Sequence, residues 1–368
     1  MILGLEFTLL VYLALAAAFA LLRRWGDVPA LAMLVSANVM LLWLANPVLL
    51  LYLGLQTGWV LLLYRLIGRG PNARSPQWAW LAFAGLLPLN LGNLSEGWGA
   101  ALLGLQRTAW EGVFWHLGAS FFVVKSFVIL REALAGTQSF GWPALASLSF
   151  LPAFSAGPIC GGQPWAPQQL VRTVDARTVG LAMLRVGWGA AALYILAPRL
   201  RRLGASLAGT ASGDIADMYF SFAALYLDFS GYTAMAVAMA SLFGARLPEN
   251  FDRPYLATSM REFWRRWHMS LSSFIGQYLF KPLVRRTGSR WLGVTLAFAV
   301  TGLWHEVSWR YLLWGVAHGL ALAASLRTWA AWERAKAMAP PALVVAVCWA
   351  ATMTYVAAVS YLVQRAGP

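Results

Sequence analysis

The sequence predicts an all-α polytopic membrane protein of about ten transmembrane helices, with interrupted segments that enter the bilayer without crossing it. Three observations carry this. Hydrophobic residues make up 60% and charged residues only 11%, at a mean hydropathy of +0.62, which leaves too little polar surface to cover a soluble globule of 368 residues. Apolar runs of about 20 residues, the length that crosses a hydrocarbon core, recur from Leu3 to Leu362. None shows the alternation of a membrane barrel, so the backbone must close its hydrogen bonds within helices.

In chain order the expected crossings lie near residues 3–22, 28–45, 47–64, 78–95, 112–130, 178–197, 216–243, 291–304, 309–328 and 341–362. The first run lacks a basic leading region and has Arg23 and Arg24 at its far end, so it is expected to remain as an anchor. Two apolar stretches are interrupted: 143–165 by Pro143, Pro152, Pro158 and Pro164, and 262–284 by Arg265, Arg266, Lys281 and Pro282. Broken stretches of this kind line protected cavities. No repeat of 20 to 50 residues and no polar linker divides the chain, which predicts one membrane domain.

The net charge of +14 is explained by the positive-inside rule and not by nucleic acid. Arg23 and Arg24 follow the first run, Arg65, Arg69 and Arg74 the third, and Lys125 and Arg131 the fifth, which places the N-terminus outside the cytoplasm. The 20 Trp and 12 Tyr suit interfacial belts. Cys160 and Cys348 sit in apolar settings and read as packing residues; no spacing suits a metal cluster.

Polar chemistry concentrates between Asp214 and His318. His305, in Thr301-Gly302-Leu303-Trp304-His305-Glu306, ends an apolar run where an ionisable side chain is costly without a task or a partner. A neutral imidazole there can take a proton from an alcohol and return it, or simply bond a neighbouring helix. His268 lies in Glu262-Phe263-Trp264-Arg265-Arg266-Trp267-His268-Met269-Ser270, whose mixed cationic and aromatic side chains fit a lipid surface or an acidic donor molecule. His318 stands 318 − 305 = 13 residues beyond His305, a separation that two helical segments and a turn can close. His116, beside Trp115, reads as a packing residue. Asp228 is a carboxylate inside an apolar crossing and needs a partner such as an arginine, or a polar cavity. Ser230 lacks a Gly-x-Ser-x-Gly elbow, which disfavours a serine hydrolase.

Read together, Asp228-Phe229-Ser230-Gly231-Tyr232, Pro248-Glu249-Asn250-Phe251, the Glu262 to Ser272 stretch, Gly302-Leu303-Trp304-His305 and His318-Gly319 resemble the membrane-bound O-acyltransferase family in order and spacing. The likeness is to its bacterial branch of alginate O-acetylases and D-alanyl transfer proteins. Upstream, Phe150-Leu151-Pro152 and Ala156-Gly157-Pro158-Ile159 resemble the family's segment before the core. The convincing resemblance spans residues 150–320, between N-terminal helices at 1–140 and C-terminal helices from 321 onward.

The resemblance implies a tunnel-containing core in which His305 is catalytic and His268 lines the same passage. Trp267, Trp304, Asp228, Arg265, Arg266, Ser270, Glu306 and His318 are the expected tunnel and substrate-binding residues. It implies a small acyl group, acetyl or D-alanyl, moved from acetyl-CoA or an acyl carrier protein to a hydroxyl of a cell-envelope glycan, with a separate extracytoplasmic protein able to finish the transfer. The expected home is the bacterial cytoplasmic (inner) membrane, with no tightly bound cofactor and no metal. Two departures stand out. Gly276-Gln277 occupies the place of the family's Arg-Asp pair, and Glu306 that of a glycine after the histidine. The rival readings are a proton-coupled transporter, which should show internal repeats, and an inactive scaffold of the same fold.

Overall fold

A computed structural model describes residues 5–67, 76–86, 118–338 and 341–365, and all regular structure among them is helical. Helices α1 (Leu5–Leu22), α2 (Asp27–Ala45) and α3 (Pro47–Ile67) are followed by a 3-10 segment at Pro76–Leu86, then α4 (Ala119–Leu134) and the short α5 (Trp142–Ser149). Helix α6 (Ala176–Ala190) runs through a π turn (Ala191–Leu196) into α7 (Ala197–Leu207), and α8 (Ala211–Ser241) is the longest. Next come α9 (Met260–Arg266), α10 (Met269–Phe274), a second π turn (Ile275–Phe280) and α11 (Lys281–Thr287), then α12 (Arg290–His305), α13 (Trp309–Met338) and α14 (Pro341–Arg365).

Six of the described helices are long and apolar enough to cross a membrane, counting α6 through α7 as one. Two of the ten expected crossings fall partly outside the described residues: the run at 78–95 is described only to Leu86, and there as a 3-10 segment, while 112–130 is described from Gly118 onward. Helix α12 has only 16 residues, and the apolar part of α13 is diluted by Arg310 and His318. His116, Arg69 and Arg74 lie outside the described residues.

Both interrupted stretches are broken as expected. Residues 143–165 form α5 and two 3-10 turns, each with a proline in its first turn, where the missing N–H costs nothing. Residues 262–284 form three short helices and a π turn, with Pro282 opening α11. Capping sets the starts. The Ser259 hydroxyl accepts the Glu262 N–H while the Glu262 carboxylate accepts the Thr258 N–H at 2.9 Å, and Ser289 accepts the Leu292 N–H ahead of α12.

Contacts group the described residues into two compact units, the first from those before residue 191 together with 232–248, the second from 191–231 and those from 249 onward. The first unit has an aromatic centre in which Phe243 meets Tyr12, Phe19, Phe150 and Trp165, with ring centroids 5.4 to 6.3 Å apart. Asn38, buried on α2, accepts from the Tyr12 hydroxyl and from the Leu151 N–H, which ties the broken segment to two long helices. Lys125 is buried on α4 and donates to the Ala153 carbonyl at 2.8 Å, an acceptor freed where the 3-10 turn ends.

The second unit is built on the hairpin of α12 and α13. A Cβ on Gly302 would lie 2.0 Å from the Tyr311 carbonyl oxygen, and one on Gly315 would lie 2.2 Å from that of Phe298. Backbone therefore meets backbone along this seam, as small residues allow between membrane helices. Trp264, Phe263, Val294, Phe298, Ala323, Met353 and Val356 fill the surrounding core. Asp217 on α8 has a side chain only 6% exposed and accepts from Tyr361 and Arg365 of α14 and from Ser221, which fastens the last helix.

Candidate active site

All of the expected site residues fall in the second unit. His305 is the last residue of α12, half-buried, with Glu306 turning the chain into an extended step before α13. Its ring lies against Trp304 at 4.9 Å, Tyr311 at 6.0 Å and, edge-on, Trp314 at 5.4 Å. The glycine seam sets this position, because Gly302 is one turn before His305 and Gly315 follows Trp314.

His268 links α9 to α10 and is 3% exposed. It adopts φ 42° and ψ 55°, left-handed backbone that costs an L-residue roughly 1–2 kcal/mol. Such strain persists only where surrounding bonds over-determine it. The Met269 N–H donates to the Asn250 carbonyl at 2.9 Å, and the Ser270 hydroxyl and N–H donate to Asn250 Oδ1 at 2.6 and 3.3 Å. One face of the imidazole is met edge-on by Phe229 at 4.7 Å. From Trp267, the residue before His268, successive ring contacts of 5.4 to 6.0 Å run through Phe263, Trp264 and Trp314 to His305, so two histidines 37 residues apart in sequence border one aromatic cluster.

His318 is joined to His305 through Trp314, whose ring is 4.7 Å from the His318 ring and 5.4 Å from that of His305. It is 1% exposed and walled by Trp264 at 5.2 Å and Tyr355 at 5.9 Å. Within the hairpin, two helical segments and a turn do bring it near.

The remaining expected residues are distributed otherwise. Trp267 is stacked on Phe263 and Phe222 at 5.4 and 5.7 Å, with Tyr226 and Phe251 closing the cluster, so its indole is a packing element beside His268. Asp228 is paired with Arg201, a pair with both side chains partly exposed. Arg266 is paired with Glu262 at 2.8 Å, and Arg265 is exposed. Glu306 pairs with Arg310, one turn further along, at 3.1 Å. Ser270 holds Asn250, and Trp304 flanks His305. Among the described residues no group of three or more His, Cys, Asp and Glu is placed to hold a metal ion.

Sequence reasoning omitted Asn250, Trp264, Trp314 and Phe229 from the site. Asn250 had a signal, a buried-type amide in the Pro-Glu-Asn-Phe turn, but its partners lie 20 residues away. The aromatic residues could not be told apart from the chain's many other rings.

The stretch that holds this hairpin and the short helices joined at His268 is similar to known proteins. Residues 213–363 match the model of the membrane-bound O-acyltransferase family, and every expected site residue lies within that match. Among curated relatives, the peptidoglycan O-acetyltransferase of Helicobacter pylori is 32% identical over 48% of this chain and 35% of its own length. The probable alginate O-acetylase AlgI of Pseudomonas aeruginosa is 28% identical over 80% of this chain and 60% of its own. The teichoic acid D-alanyltransferase of Bacillus subtilis is 27% identical over 56% and 58%. The chain thus matches about a third to three fifths of the length of these relatives.

Proposed function

We propose that the protein is a membrane-bound O-acyltransferase that moves a small acyl group, acetyl or D-alanyl, from a cytoplasmic thioester to a hydroxyl of a cell-envelope glycan, or to a partner protein that completes the transfer. The observation that carries this is the placement of His305, at the end of α12, on the aromatic cluster of Trp314 and Trp264 that also holds His318 and borders the His268 turn. The names of the relatives, which act on peptidoglycan, alginate and teichoic acid, support the acceptor class.

In this reading the acceptor hydroxyl approaches His305 from the extracytoplasmic side through a passage that the thioester enters from the cytoplasm. The imidazole takes the hydroxyl proton as the oxygen attacks the thioester carbonyl carbon. The tetrahedral oxyanion collapses, the carbon–sulfur bond breaks, and the thiolate leaves with the proton that His305 returns. His268, or the Nε1–H of Trp267 beside it, is the donor to the developing oxyanion. Aromatic walls around both imidazoles keep water from competing with the acceptor. Bound acyl donor and acceptor need no metal in this scheme; acetyl-CoA or a carrier protein is consumed as substrate.

The test uses purified protein in nanodiscs, radiolabelled acetyl-CoA in one arm and a D-alanyl carrier protein in the other, with His305→Ala as control. Thioester turnover in either arm, lost in the variant, is expected. Turnover in neither arm, with a glycan acceptor present, overturns the reading.

A further inference from the structure

We propose that Asn250 is a positioning residue for His268, holding the 268–270 turn in the left-handed conformation that presents this imidazole to the site. The proposal rests on the acyltransferase reading only where its consequences for turnover are concerned. Asn250 is 1% exposed and arrives from the turn after α8, on a stretch of chain that shares no helix with His268. Two of its oxygens receive three donors from the two residues after His268. The main-chain oxygen takes the Met269 N–H at 2.9 Å, and Oδ1 takes the Ser270 hydroxyl at 2.6 Å and the Ser270 N–H at 3.3 Å. The Ser270 N–H can only donate, so the amide must present its oxygen there, and its orientation is fixed. A further bond, Asp252 N–H to the Arg266 carbonyl at 3.0 Å, clamps the residues before His268 onto the same turn.

These bonds converge on the one non-glycine residue of the 260–274 stretch with positive φ, and they are what a left-handed histidine needs in order to persist. Without the Asn250 amide, the Ser270 N–H and hydroxyl lose the Oδ1 that ties them to the 250 turn, and the backbone at 268 can relax towards right-handed conformation. The imidazole would then swing away from Phe229, which faces it edge-on at 4.7 Å, and from the site. Asn250 therefore acts on the reaction through His268 and touches no substrate itself.

The full chain in nanodiscs carries the test, with Asn250→Ala, Asn250→Asp, His268→Ala and the double variant Asn250→Ala/His268→Ala. Asn250→Ala is expected to lower kcat about 100-fold with little change in donor KM, since a displacement of about 1 Å costs that much. Asn250→Asp keeps an oxygen for Ser270 and should recover activity to within about tenfold of wild type. The double variant should be no slower than His268→Ala alone, because a residue that acts through another adds nothing once that one is gone. Histidine-selective NMR gives a readout free of turnover. With only four histidines in the chain, the signal missing in His268→Ala assigns that ring, which should shift in Asn250→Ala while that of His318 stays in place. A multiplied loss in the double variant, or an unmoved His268 signal, overturns the proposal. Should wild type turn over no thioester, the acyltransferase reading falls, and the NMR shift still decides the role of Asn250.

Discussion

Gly315→Ala probes the contact that sets the place of His305. A methyl at this position would lie 2.2 Å from the Phe298 carbonyl oxygen, 2.8 Å from its carbon and 3.0 Å from the Ala299 Cα. All three are backbone atoms of α12, so no side chain can turn aside. An ordinary non-bonded separation is about 3.5 Å, and α12 and α13 must part locally by about 1 Å to reach it. Overpacking of this kind costs about 1–3 kcal/mol, and a shift of about 1 Å at reacting groups lowers rate about 100-fold. The assay is thioester turnover beside thermal unfolding in detergent. Gly276→Ala is the control, because a Cβ there meets nothing within 4 Å; its activity should hold, with stability unchanged or raised by about 0.4–1 kcal/mol. Wild-type turnover and melting temperature in Gly315→Ala would refute the argument that the glycine seam positions His305.

Further perturbations separate chemistry from scaffold. His305→Ala should lower kcat by about 10²–10⁴, the range of a general base, and leave the melting temperature near wild type, as a calorimetric scan would show. Arg365→Ala strips a charged donor from the nearly buried Asp217, and since the Arg365 side chain is 50% exposed the expected cost is about 1–2 kcal/mol, read as a lower melting temperature. Arg201→Ala should cost under about 1 kcal/mol and leave kcat unchanged, because its pair with Asp228 is exposed on both sides; a large loss of turnover would return Asp228 to the site.

The parts of this protein legible in its sequence are those governed by local rules. Apolar runs marked α1, α2, α3, α8 and α14, and prolines 143, 152, 164 and 282 marked where helices break. His305 was legible because an imidazole ending an apolar run stands out against its background. That His268 lines the same passage was expected only from the resemblance. For Asp228 the need for a partner such as an arginine was legible but not which one, because Arg201 lies on another helix, and the stack of Trp267 on Phe222 was not readable at all; the Arg310 that pairs with Glu306 is only one turn away. The two π turns left no mark in composition. Asn250 was absent from the expected site because its importance lies in contacts with Ser270, 20 residues distant.

The left-handed turn at His268 sets robustness and chemistry at odds. A glycine there would adopt φ 42° without steric cost and relieve the roughly 1–2 kcal/mol that the histidine backbone holds, but it would leave the space of a buried ring empty, which costs more. Asparagine, which also tolerates left-handed backbone and refills part of that space, is the substitution that a screen rewarding heat tolerance alone is expected to favour over glycine, at the expense of the imidazole. Engineering of this scaffold for stability has to score turnover in the same round, or it will select against the residue that the rest of the turn exists to hold.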